Sequence, residues 1–209
     1  FRHCDAFYIS VAFITEGGLA PLKQVLAELR DKGIPGKILT TSYLTFTEPK
    51  ALKTLADLSN VEVRVYDSTD EGASGFHTKG YIFKEEEIYR FIVGSSNMTA
   101  SAFSVNKEWN TKLVSTSDGE LLKQMMTEFN ALWNSKHTLA VKDFIEDYEV
   151  RYRLIKEQKK NAAKEQMVDF QAYKLQPNKM QARFVSNFRK LLESNEHLSL
   201  IHISEPTRP

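Results

Sequence analysis

Residues 75–110, GFHTKGYIFKEEEIYRFIVGSSNMTASAFSVNKEWN, decide the reading of this chain. They set a histidine and a lysine two residues apart, then a Gly-Ser-Ser-Asn run, then a lone Glu-Trp-Asn. HTKGYIFK and IYRFIVG are short aromatic and β-branched runs joined by Glu85, Glu86 and Glu87. That pattern predicts a β-hairpin, although the turn lacks Asn-Gly. A helical turn at TASAFS leads into a third strand, EWNTKLVS. The period of two in a strand puts His77, Lys79, Tyr81 and Phe83 on one face, with Thr78, Gly80 and Ile82 on the other. One imidazole and one ammonium then project side by side.

Upstream, strands and helices alternate. Residues 5–14, DAFYISVAFI, are too continuously apolar for a half-exposed strand and predict a central strand covered on both faces. LAPLKQVLAELRDKG places Leu19, Leu22, Leu26 and Leu29 at helical spacing and stops at Gly33. GKILTTSYL reads as a second strand, TEPKALKTLADLSN as a helix with Thr47 as its N-cap, and VEVRVYD as a third strand. The βαβαβ order implies parallel pairing with right-handed crossovers. Beyond residue 118, DGELLKQMMTEFNALWNS gathers Leu121, Leu122, Met125, Phe129, Leu132 and Trp133 on one helical face, fit to cover the sheet. From about residue 138 the chain turns strongly charged, and residues 156–166 read as a solvated connecting helix or linker.

Composition limits the function classes. The 209 residues are 42% hydrophobic and 26% charged, enough to bury a core in a globular chain. No apolar run reaches membrane-spanning length and no signal-peptide pattern opens the chain, so the expected setting is cytoplasmic, without membrane. Cys4 stands alone and makes neither an internal disulfide nor a metal site. A net charge of +1 is too balanced to announce nucleic-acid binding by bulk charge. The opening FRHCDAFYISVAF, already running into a strand without an initiator methionine, suggests a lost upstream segment. The closing residues 199–209 are set aside as a non-native tail or a frayed end.

The chemistry of the 75–110 stretch suits a phosphodiester. Cleaving one without metal needs a nucleophile, donors for the phosphoryl oxygens and an acid for the leaving group. Histidine, with an unperturbed pKa of about 6.5, serves as nucleophile or, in a second copy, as acid. Lys79 supplies a charged donor, and Gly-Ser-Ser-Asn supplies hydroxyl and amide donors at a turn entering a helix N-terminus. Glu108 can accept from the other imidazole nitrogen and fix the tautomer. Taken singly, a His-x-Lys is usually a solvated strand face and a Gly-Ser-Ser-Asn usually a turn; their order together favours a site. Trp109 and Phe103 read as packing residues, and His3, His137, His197 and His202 receive no role.

His77-Thr78-Lys79, Gly94-Ser95-Ser96-Asn97 and Glu108-Trp109-Asn110 resemble the phospholipase D superfamily, whose motif begins His-x-Lys and is followed by Gly-Ser-x-Asn. The likeness is nearest to its nuclease branch, which includes metal-independent restriction endonucleases with one motif per chain. It implies an α/β fold, a phospholipase D-like sandwich with a mixed central sheet flanked by helices and, here, a C-terminal helical extension. It implies that His77 attacks phosphorus, that Lys79 binds phosphate oxygens, that Asn97 with Ser95 or Ser96 orients the phosphate, and that Glu108 positions His77. It implies no metal and no cofactor, and a homodimer that completes a two-histidine site. The longer motif continues with an aspartate that falls here on Lys84, which argues for the nuclease branch over a lipid-hydrolysing enzyme.

Residues 173–193, YKLQPNKMQARFVSNFRKLLE, resemble the glutamine-containing lead-in helix of superfamily 2 DEAD/DEAH-type helicases, with Gln181 ahead of Phe184, Val185, Phe188 and Leu191. The implied organisation is a nuclease domain over residues 1–137, a charged helical linker over 138–172, and the start of a helicase over 173–198. The expected activity is a DNA endonuclease in a restriction or defence-type helicase. A phosphodiesterase on RNA or lipid, or a non-catalytic DNA-docking or dimerisation module, are the alternatives.

Overall fold

β1 (Ala6–Val11), β2 (Gly36–Thr41) and β3 (Val61–Tyr66) lie parallel at the centre of the sheet, with Ile38 opposite Ile9 on one side and Val63 on the other. The structure is a computed structural model and describes residues 1, 3–172 and 179–193. β4 (Lys79–Glu85) runs antiparallel to β1, followed by β5 (Ile88–Gly94) and β6 (Asn110–Thr116), each antiparallel to its neighbour. β7 (Thr138–Ala140) closes the far edge antiparallel to β3, giving the order β6-β5-β4-β1-β2-β3-β7. The mixed sheet follows from the sequence: helical crossovers permit parallel neighbours, whereas the Glu85–Glu87 connection permits only a hairpin. Glu86 takes a positive φ of 52° there, which supplies the tight reversal without glycine.

Helices cover both faces. On one, Phe7, Ile9 and Val11 of β1 pack with α2 (Lys23–Asp31) and α3 (Pro49–Ala56) through Leu26, Leu29, Leu52 and Leu55. On the other, α5 (Glu120–Trp133) buries Leu122, Phe129 and Trp133 over Ile82, Phe91 and Leu39. β1 is buried almost throughout, as its unbroken apolar run requires. Leu121, expected on the covering face of α5, is instead 48% exposed, because the buried stripe follows Leu122.

Two local expectations change. Thr47 does not cap α3; Glu48 holds the N-cap position, without a side-chain hydrogen bond. Thr47 is fully buried and its hydroxyl donates to the Thr41 carbonyl at 2.9 Å, tying β2 to the chain entering α3. Residues 138 onward do not begin as a linker. They add β7 to the sheet, and α6 (Val141–Ala172) then buries Val141, Phe144 and Tyr148 in the core, with the Tyr148 hydroxyl donating to the Thr47 carbonyl at 2.7 Å. The charge of this segment belongs to the outer face of a helix whose inner face is apolar.

The chain divides into two units, Phe1–Glu157 and Gln158–Pro209. The second holds the distal part of α6 and α7 (Lys179–Glu193). Phe184, Val185 and Phe188 are exposed on α7, with the two phenyl rings stacked 6.2 Å apart. The lead-in through Pro177 and the tail over residues 199–209 lie outside the described residues. No helix among the described residues is long and apolar enough to cross a membrane.

Candidate active site

The site forms where β1 ends and β4 begins. His77 precedes β4 and is exposed, so the strand ladder alone does not orient it. Three contacts do. The Ala12 N–H donates to the Thr78 carbonyl at 3.0 Å, which extends the β1–β4 pairing by one step. The hydroxyls of Ser10 and Thr78 meet at 2.5 Å. The His77 ring stands edge-on to Phe13, centroids 6.0 Å apart. Lys79 then reaches back, its Nζ donating to the His77 carbonyl at 2.9 Å. Burial lowers the Lys79 pKa, and the Glu108 carboxylate acts in the opposite direction.

Gly94-Ser95-Ser96-Asn97 is fastened on both sides. A Cβ on Gly94 would lie 2.1 Å from the Trp109 carbonyl oxygen, so only glycine lets β5 approach β6 here. The Tyr81 hydroxyl, on the Lys79 face of β4, donates to the Ser96 carbonyl at 3.0 Å; burial raises its pKa. Met98 pairs with the chain just beyond β1, its N–H donating to the Phe13 carbonyl and its own carbonyl accepting from the Thr15 N–H, at 3.1 and 3.0 Å. Asn97 Oδ1 accepts from the Phe13 N–H at 3.1 Å. That bond turns the amide and leaves its NH₂ without an acceptor among the described residues. Thr99 caps the five-residue α4 (Ala100–Ser104) by accepting from Ala102.

The two serines divide. Ser96 is buried, and its hydroxyl accepts from Asn110 Nδ2 at 2.8 Å. Ser95 is exposed and donates to Glu108 Oε2, while Trp109 N–H donates to its Oγ at 3.0 Å. The second Glu108 oxygen accepts from Asn106 Nδ2 at 3.2 Å. These hydrogen bonds, Ser95 first, hold the Glu108 carboxyl below its ordinary pKa, helped by Lys79. Among the described residues no hydrogen bond joins Glu108 to His77; the carboxylate is spent on the Ser95 turn and on the field at Lys79. Phe13, Phe46, Asn97, Thr99, Asn106 and Glu108 line a cleft of about 650 Å³ beside this cluster. The arrangement offers an exposed imidazole, an ammonium and an unpaired amide donor at one end of the sheet.

The family model described as "Cardiolipin synthase, PLD-like domain" matches residues 5–133. The chain belongs to this PLD-like domain family. Among solved structures, a phosphatidylserine synthase from Haemophilus influenzae Rd KW20 shares 15% identity, with a TM-score of 0.48. That match covers 78% of this chain and 41% of the synthase, so the chain spans well under half the length of that protein. No curated protein matches the chain significantly.

In the PLD-like domain the supporting residues were the harder ones to foresee. Phe13, Ser10 and Tyr81 position His77 and Asn97 from positions that read simply as strand. Asn106 and Asn110, quoted in the motif stretch without a role, fix Glu108 and Ser96. Trp109, read as a packing residue, is 89% exposed. Its neighbours in the chain are tied down, and its own ring is not.

Proposed function

We propose that the PLD-like domain is a DNA phosphodiesterase that works without metal through a covalent phosphohistidine. The observation that carries this is that Lys79 reaches the His77 carbonyl while Phe13, edge-on to the His77 ring, holds the Asn97 amide oxygen and leaves its NH₂ free to donate. His77 attacks phosphorus: an N–P bond forms, the P–O bond to the leaving group breaks, and the alkoxide takes a proton from a second histidine. Water then attacks the phosphohistidine, gives its proton to that histidine and frees His77. Lys79 and Asn97 donate to the non-bridging oxygens, where charge accumulates. Glu108 keeps Ser95 and the local field in place. These residues hold one such motif, and in this proposal a second copy supplies the second histidine.

The apolar face of α7 and the Gln181 segment support a place for this domain ahead of a helicase in a longer protein of restriction or defence type. A lipid phosphodiester is the second reading. It is favoured by the family description and by a mainly apolar cavity of about 370 Å³ between the sheet and α5, bordered by Thr78 and Lys79. Cleavage of plasmid and oligonucleotide DNA in EDTA, against phospholipid vesicles in parallel, separates them. DNA cleavage by the wild type and not by His77→Ala supports the proposal; cleavage that needs Mg²⁺ or survives the substitution overturns the mechanism, and lipid turnover alone overturns the substrate.

A further inference from the structure

Trp109 is 89% exposed, an unusual fate for the largest apolar ring. The other tryptophan shows the usual one: Trp133 is 2% exposed, stacked on Phe129, with Arg64 and Lys37 over its ring. The backbone under Trp109 is held at both ends. Its N–H donates to Ser95 Oγ and its carbonyl accepts from the Ser95 N–H, each at 3.0 Å. Ser95 belongs to the turn that carries Asn97, and the preceding Glu108 shares the cleft wall with Asn97. The backbone that carries the ring is therefore held against the turn that bears Asn97, and the ring itself is offered to solvent. Lys107, exposed, stands two residues before it in the chain.

We propose that Trp109 is a stacking platform for a nucleobase adjoining the phosphate held by His77, Lys79 and Asn97, so that the site prefers unpaired nucleic acid. The inference rests on the nucleic-acid reading above. Every base has a π-face, so an aromatic platform beside cationic groups takes a strand without regard to sequence. Bases inside a duplex already stack on one another and are not available to the ring. A pre-held backbone reduces what must be ordered when the base arrives. A lipid surface suits the ring less well, because Asn106, Glu108 and Asn110 interleave polar and acidic groups with it.

The test uses the full chain in a His77→Ala background, so that substrates stay uncut, with oligothymidylate, an abasic oligomer of the same length, and blunt duplex. Expected are quenching of tryptophan fluorescence by oligothymidylate but not by the abasic strand, and binding of oligothymidylate weakened about 5- to 150-fold by Trp109→Ala. Trp109→Phe retains most of the affinity, and abasic binding does not change. Equal binding of base-bearing and abasic strands overturns the platform while leaving the nuclease reading intact. So does a Trp109→Ala protein that loses dimerisation in sedimentation, or binding to anionic phosphatidylglycerol vesicles, but keeps its oligothymidylate affinity. If no oligomer binds the Trp109-intact protein and the wild type cuts none, the nucleic-acid reading itself falls.

Discussion

Gly18→Ala is expected to damage the site from the opposite side of the chain. Gly18 lies in α1 (Glu16–Leu19), packed on the strand-like segment that follows Asn97. A Cβ there would sit 2.1 Å from the Met98 carbonyl oxygen, 2.4 Å from its carbon and 2.6 Å from the Thr99 nitrogen. All three are backbone atoms, so no side chain can swing away; ordinary contact requires a movement of about 1 Å between α1 and the Met98 backbone. Overpacking of this kind costs about 1–3 kcal/mol. Since Met98 and Asn97 are bonded to Phe13 and Thr15 in the segment after β1, the displacement reaches the Asn97 amide. Misplacement by about 1 Å costs on the order of 100-fold in rate. Gly33→Ala is the control: φ is +66° and nothing lies within 4 Å of the added Cβ, so it costs about 1–2 kcal/mol in strain far from the site. Thermal melts and DNA cleavage rates on the three proteins distinguish them. The account expects both variants to melt lower and only Gly18→Ala to lose rate; equal rates for the two, or a Gly18→Ala protein that behaves as wild type, would refute the packing argument.

Other consequences follow from named contacts. Tyr81→Phe removes the hydrogen bond to the Ser96 carbonyl and should cost about 1 kcal/mol in a denaturant melt, with faster amide exchange at residues 95–97. Ser95→Ala should raise the Glu108 pKa, seen by carboxyl NMR. In the wild type the folded value is depressed, so this group's contribution is present above its unfolded pKa of about 4.3 and is lost as pH falls through the folded value; the variant loses it at higher pH. For Lys79 the pKa is lowered, so its charge disappears as pH rises through a value below that of free lysine. Substrate KM should climb at lower pH than an ordinary lysine would give, and Lys79→Arg should flatten that alkaline limb. The same shift makes the unfolded chain bind the proton more tightly, so this group's effect on stability becomes less unfavourable as pH rises between the folded and unfolded values. A protein ending at residue 137 should fail to fold and one ending at 157 should fold, because Phe144 and Tyr148 each bury about 1.5–3 kcal/mol of apolar surface; circular dichroism melts decide it.

The central strands and the motif order were legible because each rests on local pattern. β1 needed only its unbroken apolar run, and the β4–β5 hairpin only two β-rich segments across three glutamates. Thr47 was misread because its neighbours imitate a cap; its hydroxyl instead donates to the Thr41 carbonyl of β2, which outweighs that local preference. The charged run after residue 138 hid Val141, Phe144 and Tyr148, since three buried residues at helical spacing barely alter composition. At the site, residue types single out His77, Lys79, Asn97 and Glu108 as candidates but do not tell their partners. That Asn97 spends its oxygen on Phe13 and Glu108 both of its oxygens on Ser95 and Asn106 depends on contacts 84, 13 and 2 residues apart. Nor does spacing tell that the ring after Glu108 faces outward; exposure is decided by what the rest of the chain fails to cover.

The central claim is that His77 carries the phosphoryl group. Acid-free quenching of a single turnover in EDTA, followed by mass spectrometry of the peptide containing residues 75–84, tests it directly. A nucleotide-phosphoryl adduct on His77 that vanishes on brief acid treatment and is absent from His77→Ala is the expected result. Turnover without any adduct at His77, or an adduct on another residue, would contradict it.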